Sequence, residues 1–288
     1  MALLNLSKKA PVILVDASYY IFYRYFATSR WWSFQNRGNA QMSNPEFQDA
    51  FLKHADAEIH KLRKTWGLIG KGKVRQSQDA APDNLIFCQD CPRASIWRMD
   101  MYDAYKGTRP VNEKFDPNAF RVYLDRASVL PSSPVLPSFP PIVSHPRLEA
   151  DDVACLLFRQ IRETMGPEQK VIFITGDHDY LQLKDEHSEI YSLPLKNLWE
   201  AGVKKGTDNI HRKIVMGDAS DNIPAILTKK QIGVYMDLEA DERTTFIEGL
   251  GKTAAFERNQ TLMCWSKIPE DLVNSFNETW RVSPSPKK

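Results

Sequence analysis

The sequence predicts an α/β fold, a mostly parallel twisted sheet flanked by helices, and three observations support it. The short apolar runs PVILVD, NLIFCQD and VIFITGDHD are continuous and not alternating, as strands buried on both faces of a parallel sheet are. Each run ends in aspartate: Asp16, Asp90, and Asp177 with Asp179. Helical patterns separate the runs, and alternating strands and helices build a doubly wound sheet. Ligands of such sheets bind beyond the carboxyl ends of the strands. The aspartates fall there.

Each element follows from its own stretch. MALLNLSKKAPVILVD has no cationic segment ahead of its apolar run, so it reads as a core strand and not a signal peptide. Ser18–Ala27, SYYIFYRYFA, reads as the first helix. In the second, Phe47, Phe51, Ala55, Ile59, Leu62 and Trp66 lie on one stripe. The basic stretch Lys61–Arg75 reads as a solvated loop, with duplex contact the alternative. From Arg98 to about Phe139 mixed charges and aromatics give way to a proline-rich run; an insertion of this length, about 98–140, is a functional lid or a surface excursion. RLEADDVACLL opens a third amphipathic helix through Val153, Leu156, Leu157 and Ile161. Beyond about Tyr191 the pattern is mainly helical. The expected organisation is a core over 1–190, a helical region over 191–282 and a disordered tail over 283–288.

Composition excludes more than it selects. The 288 residues carry 38 basic and 36 acidic side chains, so net charge names no partner. No apolar stretch approaches the roughly 20 residues of a membrane span, and an intracellular protein is expected. Cys88 and Cys91 form a lone CxxC; a zinc site wants a second Cys or His pair, and reduced or incidental thiols are the plainer reading.

The acids carry the chemistry. Asp16, Asp90, Glu149, Asp151, Asp152, Asp177, Asp179, Asp218 and Asp221 follow apolar segments, open helices, or lie in the turn-like MGDASDNIP. Singly, Asp16 reads equally as a helix cap, the 149–152 triplet as a solvated first turn, and Asp177 with Asp179 as a turn or a phosphatase motif. Together they place acids from separate segments at one sheet edge, where they could not all stay ionised without a counter-charge. Oxygen ligands without paired His or Cys select Mg²⁺ or Mn²⁺. So many carboxylates suit two ions about 3.5–4 Å apart, the arrangement of phosphodiester hydrolysis. A helix N-terminus further favours the charge of the triplet.

With those residues in hand, the chain resembles the flap endonuclease / 5′-nuclease superfamily, which carries a PIN-like nuclease core. VDAS, FCQD, YKGTR, EADD, TGDHDYLQL and GDASDNIP occur in the family's order over roughly residues 10–230. The length and the Leu262–Trp280 run, with its KIPEDLV, look most like the phage ribonuclease H branch. The resemblance implies that Asp16, Asp90, Glu149 and Asp151 hold one metal and Asp177, Asp179 and Asp218 the other, with Asp152 and Asp221 as further acids at or behind them. The family places a Lys and an Arg after the second aspartate; here Arg93 and Arg98 stand there, with Lys106 beyond, as candidates to clamp the scissile phosphate. The 98–139 segment corresponds to a helical arch or clamp, where Tyr102, Tyr105, Lys106, Arg109, Lys114 and Arg121 are available to a passing strand. Tyr19, Tyr20 and Tyr23 are candidates to stack on a base. Relatives follow SDNIP with a glycine-rich turn that binds duplex phosphates through potassium; AILTKKQIGVYM retains only Gly233, which puts the K⁺ site in doubt and leaves Lys229 and Lys230 as direct contacts. The implied activity is a monomeric, two-Mg²⁺ 5′–3′ exonuclease and flap endonuclease, with Mn²⁺ as substitute, acting on flap or nicked duplex DNA or an RNA/DNA hybrid in replication and repair. A single-strand-binding or clamp partner is conceivable but no peptide for one is readable. The alternatives are a PIN-type ribonuclease and an inactive binder of branched DNA.

Overall fold

The computed structural model describes residues 1–35, 38–69, 83–126, 139–205 and 210–285, apart from the side chains of 203–205. The strands are β1 (Ala2–Leu6), β2 (Val12–Asp16), β3 (Leu85–Gln89), β4 (Ile142–Ser144), β5 (Val171–Ile174), β6 (Ser188–Ser192), β7 (Lys196–Asn197) and β8 (Trp280–Pro284). The main sheet runs β4-β3-β2-β5-β6-β7, and all its pairs are parallel except β6–β7. Every acid-bearing strand therefore ends at the same edge.

The apolar runs serve two cores at once, with the strict alternation a pleat imposes. Val12, Leu14, Ile86, Cys88, Val171 and Phe173 face a cluster on one side of the sheet. Ile13, Val15, Leu85, Phe87, Ile172 and Ile174 face the other. The second cluster is covered by α1 (Ala17–Phe34), α2 (Pro45–Thr65) and α4 (Asn118–Leu124). Phe47, Phe51, Ala55, Ile59 and Leu62 of α2 are buried as their spacing predicts, while Trp66 caps the helix. The first cluster is covered by α5 (Ala150–Met165) and α11 (Glu270–Thr279).

The remaining helices are α3 (Trp97–Met101), α6 (Leu198–Lys205), α7 (Ile210–Met216), α8 (Lys229–Asp237), α9 (Ala240–Gly249) and α10 (Thr253–Met263). A third cluster joins residues of α7 to α10 to Cys91, Ile96 and Tyr105. The carboxyl-terminal helices contribute to two of the clusters. Trp265, Leu272, Phe276 and Val282 belong to the core of α5.

One expectation is corrected. Ser283 and Pro284, read as tail, pair in β8 with Asn5 and Leu6 of β1; residues 286–288 of that tail lie outside the described residues. Strand β1 itself was not foreseen, because it buries only Leu4 and Leu6. The described part of the 98–140 insertion packs on the second core. Ala119 and Tyr123 of α4 are buried, and Phe115 and Phe120 pack against that core. Residues 127–138 of the proline-rich stretch, and 70–75 of the basic stretch, lie outside the described residues. All four cysteines are free. Among the described residues no helix is long and apolar enough to cross a membrane.

Candidate metal-dependent nuclease site

The edge of the sheet opens into a cavity of about 910 Å³, lined by Asp16, Asp90, Glu149, Asp151, Asp177 and Asp218, with Lys106, Arg109, Arg212 and Lys213 at its rim. Asp16 ends β2 and caps α1, accepting the Tyr19 amide at 2.9 Å, while Thr175 Oγ1 donates to its second oxygen at 3.2 Å. Asp90 accepts the Ala150 amide at 2.8 Å and the Ser18 hydroxyl. This ties the start of α5 to the end of β3. Asp177 caps the 3₁₀ turn His178–Leu183 and accepts the Asp179 amide at 2.9 Å.

The GDASDNIP segment folds back on itself. Asp218 and Ile223 exchange backbone hydrogen bonds of 2.8 Å each way. Gly217 permits this by φ +69 and by lacking a Cβ, which would stand 2.4 Å from the Ile223 carbonyl. The loop is held against YKGTR: the Lys106 amide donates to the Asp221 carbonyl at 2.9 Å, and Asn222 Nδ2 to the Ala104 carbonyl at 2.8 Å.

Electrostatics divide the acids into two sets. Glu149 is bound by Arg98, Tyr105 and Lys106, Asp221 by Tyr105 and Arg109, and Lys213 bridges Asp179 and Asp218. Among the described residues no cation pairs with Asp16, Asp90, Asp151 or Asp177. Burial, then the charges of Asp90 and Asp177, push the Asp16 carboxyl up to about 7. Burial and Asp152 raise Asp151 well above the carboxylate range against the pull of Arg98. Asp177 keeps solvent contact in the cavity, yet the protein packed round it desolvates the charge and raises it against the pull of Lys213. Asp218 goes the other way: burial opposes ionisation, but the Ser220 hydroxyl and Lys213 outweigh it and lower the group. Oxygen-only donors whose charge the protein leaves uncompensated fit hard divalent cations. Glu149, Asp151 and Asp152 bring ligand atoms within 4.8 Å of one another.

The cavity also revises several residue roles. Asp152 is fully buried, and its oxygens accept from Arg98 (2.7 and 2.7 Å) and Trp97 Nε1 (3.0 Å), so it acts from behind the site. Arg98, 2% exposed, is spent on Asp152, Glu149 and the Leu262 carbonyl and cannot reach a phosphate in the cavity. Arg93 is exposed, outside the cavity lining, and donates to the Lys106 carbonyl. Tyr20 is buried with its hydroxyl on the Ala55 carbonyl, which removes it from base stacking; Tyr19 lines the cavity. Tyr105 is buried between Glu149 and Asp221 and not open to a passing strand. Lys229 and Lys230 stand exposed at the start of α8, capped by Thr228. Gly233 lies inside that helix and makes no turn. Lys213, Thr175 and Ser18 were missed. The signal for Lys213 was its place on the helix immediately before GDASDNIP.

An open, mostly parallel sheet that delivers carboxylates from several strand ends into one basic-rimmed cavity defines a class, the metal-using phosphodiesterases of nuclease type. The chain belongs to the family of the 5′-3′ exonuclease, N-terminal resolvase-like domain, whose model matches residues 11–214, and it is a nuclease of that family. Over 165 residues it is 27% identical to DNA polymerase I of Deinococcus radiodurans, a match covering 56% of this chain; it spans only 16% of the polymerase. Its fold is similar to that of the phage T5 D15 protein co-crystallised with metal ions (16% identity, 93% of this chain and 97% of that one, TM-score 0.57). It is equally similar to the T5 D15 flap endonuclease in a pseudo-enzyme-product complex with DNA and metal ions (15% identity, the same coverage, TM-score 0.58).

Proposed function

We propose that this nuclease is a structure-specific 5′ nuclease, hydrolysing phosphodiester bonds near single-strand/duplex junctions of DNA with two Mg²⁺ ions, in flap and primer removal. The observation that carries the reading is the set of unpaired acids, Asp16, Asp90, Asp151 and Asp177, in one cavity. Asp16, Asp90, Asp151 and Glu149 would hold one ion; Asp177, Asp179 and Asp218 the other. Such ions supply Lewis-acid activation of water and neutralise charge developing on the phosphate. The chain's own residues do the rest. Lys106 and Arg109 line the cavity from one side and Lys213 from the other, placed to engage the scissile phosphate once metal takes over their carboxylates. Tyr19 offers a stacking face beside Gly176, and Lys229 and Lys230 offer the duplex backbone a positive helix start.

A flap duplex labelled at its 5′ end, incubated with Mg²⁺ or EDTA beside an Asp177→Ala control, tests this. Release of a short labelled oligonucleotide by wild type with metal is the expected result. Tight binding without product in Mg²⁺ and Mn²⁺ would leave a branched-DNA binder.

A further inference from the structure

We propose that α10 is a strut that sets the spacing between the two halves of the acid cluster, with Asn259 as its chief positioning residue; this rests on the two-ion reading. Helix α10 lies beyond the residues matched by the family model, yet it bonds to the turn that carries Asp218, to the 3₁₀ turn that carries Asp179, and to Arg98, which holds Glu149 and Asp152. Asn259 is wholly buried, and its Nδ2 donates to the carbonyls of Ile214 and Pro224, both at 2.9 Å. It thereby joins α7 to the far side of the turn that carries Asp218. Its own Oδ1 accepts from Arg258 Nε and Nη2 at 3.1 and 2.9 Å.

The last two residues of the helix receive the other segments. Arg98 Nε donates to the Leu262 carbonyl at 2.8 Å while its remaining nitrogens hold Asp152 and Glu149. Gln182 Nε2, from the 3₁₀ turn that carries Asp179, donates to the Met263 carbonyl at 3.0 Å. These carbonyls end α10, where a helix leaves acceptors without internal partners and presents its negative pole. Positions 259, 262 and 263 share one helix face. Loops that carry acids singly cannot fix the separation of those acids against their repulsion; a shared rigid helix can.

Mn²⁺ titration of metal-free protein, with free ion read by electron paramagnetic resonance, tests the strut in wild type, Asn259→Ala and Gln182→Ala. Wild type binds two ions. In Asn259→Ala one of the two ions loses about tenfold or more in affinity, the usual cost of removing an outer support of a metal site, while the other is unchanged and added Mn²⁺ recovers cleavage. Folded Asn259→Ala binding both ions as wild type does would overturn the strut alone. Should near-ultraviolet circular dichroism show Asn259→Ala unfolded, Gln182→Ala carries the same comparison: weakening of one ion supports the strut, and none overturns it. Fewer than two ions on wild type would overturn the two-ion reading, and the strut with it.

Discussion

Arg98 and Asp152 form a bidentate ion pair, 2.7 Å at each oxygen, sealed beneath the acid cluster with exposures of 2% and 0%. A pair so buried is weak evidence of net stabilisation, but removing one partner strands a charge. Arg98→Met should therefore cost about 3–5 kcal/mol in denaturant unfolding. The double variant Arg98→Met/Asp152→Leu should recover most of that loss while cleavage stays impaired, because Glu149 has lost one of the three groups that hold it. Recovery of full activity in the double variant would show that Arg98 only balances charge.

The two neighbouring tyrosines separate stability from substrate contact. Tyr20→Phe removes the buried hydroxyl's bond to the Ala55 carbonyl and should cost about 1 kcal/mol of stability with flap binding unchanged. Tyr19→Ala should weaken flap binding, with stability moved less. Fluorescence anisotropy beside thermal melts reads both; equal effects on binding would put Tyr20 in the substrate path.

Asp16 contributes a distinct part of the pH response of the metal-free protein. Its folded-state value of about 7 stands above the roughly 3.9 of an unfolded aspartate. Between those values the folded chain binds more protons than the unfolded one, so stability falls as pH rises from about 4 to 7 and levels above. Asp16→Asn should flatten that slope and be the more stable protein in EDTA at pH 8. Chemical denaturation across pH 5–8 decides; parallel slopes for the two proteins would refute the assignment.

Gly217 closes the loop that carries Asp218. Any Cβ there meets the Ile223 carbonyl at 2.4 Å, and φ is +69. Gly217→Ala should cost on the order of 1–3 kcal/mol, the scale of local backbone strain, and should weaken one of two Mn²⁺ ions selectively. Isothermal titration with both variant and wild type measures it.

The acids were legible because each follows an apolar strand, opens a helix or stands in a turn-like run, places that sequence alone locates. Their partners were not, because partnership depends on which side chain the fold buries. Arg98 and Lys106 read alike as cations after Asp90, yet the fold turns Arg98 inward to α10 and Lys106 to the cavity. Adjacent tyrosines on α1 necessarily face different ways, and the pattern did not say which faced the core. Strand β8 was invisible because WRVSP carries only one buried apolar residue, Val282, and is ordered by β1 across the whole chain length.

On the proposed function, metal held by these acids acts on the scissile phosphate. The most direct test of this replaces a non-bridging oxygen of that phosphate with sulfur and compares single-turnover cleavage in Mg²⁺ and Mn²⁺. Slow cleavage of one phosphorothioate isomer in Mg²⁺ is expected, with recovery in the more thiophilic Mn²⁺. Equal sulfur effects in both metals, for both isomers, would contradict it.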